Sequence, residues 1–169
     1  KDLADGITGL AAGMSSSCVI TTQGEVECWG DNDYGQLGNG ETRRRVVPTR
    51  VADLSLGAQA ISAGSYFTCV LNAANGEICW GSNGHGELGD GTTTARFAPL
   101  GVVGLDSGVL MTAAGSSHTC ALTFQGGVKC WGNNTYGQLG DGTTIGRLTP
   151  VDVVGMTNGV TAISAGAYQ

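Results

Sequence analysis

The stretch Cys18-Val19-Ile20-Thr21-Thr22-Gln23-Gly24-Glu25-Val26-Glu27-Cys28-Trp29-Gly30 decides the fold, because the chain writes it three times. It returns as Cys69 to Gly81 and as Cys120 to Gly132, so that each copy lies 51 residues after the last. A fixed period of this length is the mark of a repeat architecture. Within each copy the cysteines stand ten apart and are centred on a turn, at Gln23, Ala74 and Gln125. A symmetric antiparallel hairpin sets two such positions opposite each other at about 4.5 to 5.5 Å between Cα atoms, a separation that suits a disulfide. The spacing therefore predicts Cys18–Cys28, Cys69–Cys79 and Cys120–Cys130, and with them an oxidising compartment: extracellular, cell surface or periplasmic. The alternative is six buried free thiols acting as small hydrophobes. Zinc is disfavoured, since no two-residue cysteine spacing gathers four ligands.

Outward from the hairpin the same period continues. Gly13, Gly64, Gly115 and Gly166 fall in register, preceded by the apolar runs 7–12, 58–63, 109–114 and 160–165, each of which reads as a buried strand. After Trp29-Gly30 comes a loop, Asn32 to Gly38, matched by Asn83 to Gly89 and Asn134 to Gly140. A last element begins at Pro48, Pro99 and Pro150, as an edge strand would. About four strands per copy is the content of a propeller blade. The expected fold is all-β: one propeller segment over residues 1–169, with repeats at 7–57, 58–108 and 109–159 and an extra strand in 160–169 starting a fourth. Trp29, Trp80 and Trp131 leave their strands on the face opposite the cysteines, where stacking between blades is the expected role.

The succession Ala113-Ala114-Gly115, Ser117-His118-Thr119-Cys120-Ala121-Leu122, Gly127-Val128-Lys129-Cys130-Trp131-Gly132 and Asn133 to Gly140 resembles the regulator of chromosome condensation repeat. The resemblance covers essentially the whole chain, and the paired cysteines look like a bacterial secreted variant. It implies a β-propeller closed by about seven repeats. No single activity is implied, because the family includes an exchange factor, light sensors, enzyme inhibitors and plain interaction modules.

Composition narrows the partner. Eight Lys plus Arg against 14 Asp plus Glu leave a net charge of -6, which disfavours nucleic acid and anionic membranes. No stretch approaches the roughly 18 apolar residues of a membrane span. Catalysis finds little support, since a nucleophile needs a base and the chain offers two histidines, His85 and His118. No cofactor or metal is expected; the carboxylates of Asp31-Asn32-Asp33 are not repeated in the other copies, which argues against calcium. Recognition belongs where the copies differ. Arg43, Arg44 and Arg45 form a basic tip, although Arg45 recurs as Arg96 and Arg147 and so reads as architectural. Tyr66, Phe67 and His118 vary at the approach to each hairpin, and Tyr34, His85 and Tyr136 vary in the loop after it.

Three blades do not close a seven-bladed ring, and an open array exposes blade faces. The expectation is a segment of a longer protein, or self-association of several molecules that completes the ring. Functionally the sequence reads as a non-catalytic recognition or structural scaffold with a protein partner. The second reading is a proteinaceous inhibitor of an extracellular enzyme, working through loops on one propeller face.

Overall fold

A computed structural model describes residues 6–54 and 57–169; residues 1–5 and 55–56, which the 1–169 segment and the first repeat include, lie outside it. Among the described residues, twelve strands form three antiparallel sheets of four. The first blade is β1 (Ile7–Ala12), β2 (Ser16–Thr21), β3 (Val26–Gly30) and β4 (Arg45–Arg50). The second is β5 (Ala58–Ala63), β6 (Phe67–Asn72), β7 (Glu77–Gly81) and β8 (Arg96–Gly101). The third is β9 (Val109–Ala114), β10 (His118–Thr123), β11 (Val128–Gly132) and β12 (Arg147–Asp152). In each blade the strands lie in sequence order, and β1, β5 and β9 run side by side along the inner edge. This is a partial β-propeller of three blades.

Local chemistry explains the hairpins. Cys18 pairs in register with Cys28, Cys69 with Cys79 and Cys120 with Cys130, and each pair is closed by a disulfide with its Cα atoms 4.1 Å apart. The turns need one residue with positive φ, which Gly24 and Gly126 supply; the second copy puts Asn75 there at φ 59°, a conformation that Asn tolerates better than most residues. Proline does not start the outer strand, as expected from the sequence, but sits inside it. Pro48 lies where the β3–β4 ladder slips between Cys28 and Gly30, a bulge on an edge strand that does not need its N–H.

Two further expectations are corrected. The innermost strands are less buried than their apolar composition suggested: Leu10 of β1 is 69% exposed and Leu110 of β9 is 50% exposed, because this edge faces the open propeller axis. Residues 160–165 form no strand. In the other copies the equivalent run pairs with the next strand of its blade, and residues 166–169 offer 160–165 no such partner.

The cores lie between blades rather than within them. The disulfide face of the first blade, with Cys18, Ile20, Val26, Cys28 and Leu37, packs against Ala58, Val70 and Trp80 of the second. The disulfide face of the second blade packs in the same way against Val109, Ala121 and Trp131 of the third. Each interface is also latched by polar contacts. The Gln36 carbonyl accepts hydrogen bonds from the Thr68 hydroxyl (3.1 Å) and the Trp80 indole (3.0 Å), and the Glu87 carbonyl accepts from Thr119 (2.8 Å) and Trp131 (2.9 Å). Glycine is required under each indole, since a Cβ on Gly38 or Gly89 would stand 2.6 or 2.7 Å from the Trp80 or Trp131 nitrogen. Farther out, the Gly40 and Gly91 amides donate to the carbonyls of Phe97 and Leu148 on the following blade.

Candidate recognition rim

The loop after each tryptophan is built around one buried asparagine. Asn83 donates from Nδ2 to Asp90 (3.0 Å) and to the carbonyls of Thr92 and Thr94 (both 3.1 Å), and its Oδ1 accepts from the Leu88 amide (3.0 Å). Asn134 repeats the set with Asp141, Thr143, Ile145 and Leu139, and Asn32 with Asn39, Glu41, Arg43 and Leu37. In two copies an aspartate is then clamped by arginine, Asp90 by Arg96 at 2.6 Å and Asp141 by Arg147 at 2.7 Å. Burial pushes the Asp90 carboxyl up, but hydrogen bonds from Thr92, Arg96 and Asn83 outweigh it and hold its pKa below the usual value. At Asp141 the Thr143 hydroxyl leads the same effect, against some burial and with help from Arg147, and the pKa falls to about 2.

These rigid loops carry side chains to one rim of the blades. Tyr34 meets Tyr66 of the next blade with ring centroids 5.0 Å apart, and the Tyr66 hydroxyl reaches the Met14 sulfur at 3.1 Å. At the next junction His85 lies 3.4 Å from the Asn133 amide through Nδ1. Beyond it Tyr136 meets Tyr168 edge to face at 5.6 Å. The backbone ties the rim together, since Met14 donates to Ser65, Ser65 to Ser116 and Ser116 to Ala167. Tyr34, Tyr136, Tyr168 and Met14 are 48%, 73%, 65% and 66% exposed.

The candidate residues divide in three. Tyr66 and His85 lie on this rim. Phe67 and His118 do not, and their reading as partner contacts is corrected: both are buried against Gly64 and Gly115, where a Cβ would collide with either ring at 2.0 or 2.2 Å. Burial lowers the His118 pKa, opposed by the nearby Gln169 backbone, so burial favours the neutral ring. Arg43 and Arg44 are exposed on the loop that Asn32 braces through the Arg43 carbonyl, while Arg45 pairs with Glu41. Arg45 turns to Glu41 because Asn39 replaces the aspartate that clamps Arg96 and Arg147. The reading from sequence missed Met14 and Tyr168 as rim residues. A signal existed for Tyr168, since 34 to 66 and 136 to 168 are both steps of 32, the offset that joins one blade's loop to the next blade's approach; none pointed to Met14.

Catalytic chemistry has little to work with here. All six cysteines are disulfide-bonded. Cys69, Glu77 and Cys79 cluster closely enough to suggest a metal, but both sulfurs are committed to each other.

Comparison with known proteins then places the chain. The regulator of chromosome condensation (RCC1) repeat matches residues 23–71 and 78–122, and a second description of the same repeat matches 7–36 and 112–138. The chain belongs to the RCC1 repeat family. Among curated relatives, the ultraviolet-B receptor UVR8 of Arabidopsis thaliana is 32% identical over 165 residues, covering 96% of this chain and 38% of the receptor. The human E3 ubiquitin-protein ligase HERC2 is 36% identical over 135 residues, which is 79% of this chain and 3% of the ligase. Among solved structures, Prp20p of Saccharomyces cerevisiae, described with its binding to Gsp1p and histones, aligns over 95% of this chain and 42% of its own at a TM-score of 0.81 and 20% identity. Human WBSCR16 aligns over 89% of this chain and 38% of its own at 0.78 and 26% identity. This RCC1-repeat chain thus spans well under half the length of these relatives.

Proposed function

We propose that this RCC1-repeat chain is a non-catalytic recognition scaffold for a protein partner, bound at the rim that carries Met14, Tyr34, Tyr66, His85, Tyr136 and Tyr168. The observation that carries the reading is that Tyr34 and Tyr66, and Tyr136 and Tyr168, meet across blade junctions on one rim, held there by loops whose asparagines are fully bonded. Tyrosine, histidine and methionine on a rigid backbone bring large contact area at small entropic cost, which is what an interface core uses. Its family relationship supports the same reading, as RCC1-type propellers include Prp20p with its protein partners. Three disulfides support an extracellular, cell-surface or periplasmic setting. The single-rim arrangement also suits the narrower second reading, an inhibitor that caps an extracellular enzyme.

Photo-crosslinking from the rim tests this. A photoreactive residue at Tyr66, His85 or Tyr136, in protein returned to its source, is expected to capture one and the same partner. Residues Gln23 and Gln125, exposed on the hairpin turns at the other end of the strands, should not. Capture from the turns alone, or from Arg43 and Arg44 alone, would move the site and overturn the proposal. Capture of an extracellular enzyme, with loss of its activity on binding, would select the inhibitor reading.

A further inference from the structure

The second hairpin differs from the other two in a residue that faces its disulfide. Glu77 stands two residues before Cys79 on β7, where the first and third copies have Val26 and Val128. Residues two apart on a strand share a face, so the carboxyl lies on the side of the sulfurs. Cys69, Cys79 and Glu77 each bring one donor atom, and the three donors lie within 4.8 Å of one another. Among the described residues no other three side chains of Cys, His, Asp or Glu gather so closely. All three are buried, and Thr112 of the third blade closes over the carboxyl.

The hydrogen bonding of the carboxyl is a second, independent observation. The Thr112 hydroxyl donates to Oε1, whereas Oε2 is buried with no hydrogen-bond partner. A buried oxygen left unpaired is costly, and the valines of the other copies show that the hairpin folds without it. The Thr112 bond fixes the carboxyl as an outer partner fixes a metal ligand. Two sulfurs bound to one tetrahedral zinc stand about 3.8 Å apart, each about 2.3 Å from the metal. Cysteines on facing strands whose Cα atoms are 4.1 Å apart reach that separation once the bond between them is absent.

We propose that in the newly made chain, before its disulfides close, Cys69, Cys79 and Glu77 hold one zinc ion between the second and third blades. Two thiolates and a carboxylate suit this borderline-soft cation, and water completes its tetrahedron. On binding, zinc replaces one proton on each of the three groups, and the three protons go to solvent. Closing the disulfide reverses the exchange. A disulfide-bearing oxidant takes two electrons from the two sulfurs and two protons from solvent, becoming a dithiol; the bond between Cys69 and Cys79 forms, zinc leaves and Glu77 recovers its proton. The first and third hairpins, with valine in place of the carboxyl, oxidise without this step. Cysteine spacing alone points away from zinc, because the third donor is a glutamate present in one copy of three.

The test uses the full 169-residue chain, unfolded, reduced with a phosphine and refolded without oxygen in the presence of cobalt(II), a spectroscopic substitute for zinc. One equivalent is expected to bind, with a thiolate-to-cobalt band in the near ultraviolet, and to be displaced by zinc. Glu77→Val, which installs the residue of the other copies, is expected to weaken binding by about tenfold or more. A second readout compares the hairpins within one molecule by mass spectrometry. Zinc is expected to add protection from alkylation at Cys69 and Cys79 and none at the cysteines of the other two hairpins, and to delay Cys69–Cys79 alone when oxidised glutathione is added. Equal protection in all three hairpins overturns the proposal, as does a Glu77→Val chain that binds as tightly as the parent. So does a reduced chain that stays unfolded with zinc present, judged by tryptophan emission, because the site needs both blades folded around it.

Discussion

Glu77 is the residue most at odds with its surroundings. Its carboxyl is buried between the second and third blades, beside the Cys69–Cys79 disulfide, and is met by the Thr112 hydroxyl of β9. Burial raises its pKa from 4.5 to about 8, the Thr112 hydrogen bond pulling weakly the other way, so the side chain is protonated at neutral pH. The folded state then holds a proton that the unfolded chain gives up above its ordinary pKa. The resulting stabilisation is complete below pH 4.5 and is lost as pH rises from there through about 8. The other copies have Val26 and Val128 at this register position, which identifies the apolar alternative. Glu77→Val is therefore expected to raise the urea midpoint at pH 8 and to flatten its pH dependence between pH 5 and pH 8. A variant with the same slope as the parent would show that Glu77 is not the group responsible.

At the scale of the element, the loop following each tryptophan works as a clasp, and its asparagine is the pin. Asn83→Ala would leave the Leu88 amide and two loop carbonyls without their buried partner. Such losses cost about 1–3 kcal/mol per buried group where water does not replace the bond, so a total near 3 kcal/mol is expected. Asn83→Asp should be worse at neutral pH despite its similar shape, because it sets a second carboxylate against Asp90 where Nδ2 now donates at 3.0 Å. The readout is urea unfolding followed by tryptophan emission, since the same loop offers the Glu87 carbonyl to Trp131. The period of 51 made this loop legible as a repeated turn, together with the hairpins and the disulfide pairing across them. What the period hid is which residues of different copies touch. Trp80 meets Gln36 across 44 residues and Tyr34 meets Tyr66 across 32, offsets set by how blades lean on each other and not by the repeat length. Phe67 and His118 misled for a related reason. Each ring is packed against a glycine in the core, and variation at a core position looks the same in one sequence as variation from recognition.

For the whole molecule, a stack whose cores lie between blades has its stability distributed by neighbours. The second blade is covered on both faces, its disulfide face by Trp131 and its tryptophan face by the first blade's Cys18–Cys28 pair. Among the described residues, the first blade is covered on its disulfide face by the second, and the third on its tryptophan face by the second and on its disulfide face only by the segment that carries Val160 and Ile163. Local opening should follow that order, because an amide exchanges at the cost of the smallest unit that must separate to expose it. Backbone protection is therefore expected to be greatest in β6 and β7, intermediate in β2 and β10, and least in β1 and residues 160–165. The indole protons give a sharper version within a single spectrum. Those of Trp80 and Trp131 are buried and bonded to carbonyls, so they should outlast that of the less buried Trp29 by orders of magnitude in dilute protein. Equal exchange of all three indoles in dilute solution would mean that the chain opens as one cooperative unit, and the neighbour-by-neighbour account of its stability would have to be abandoned.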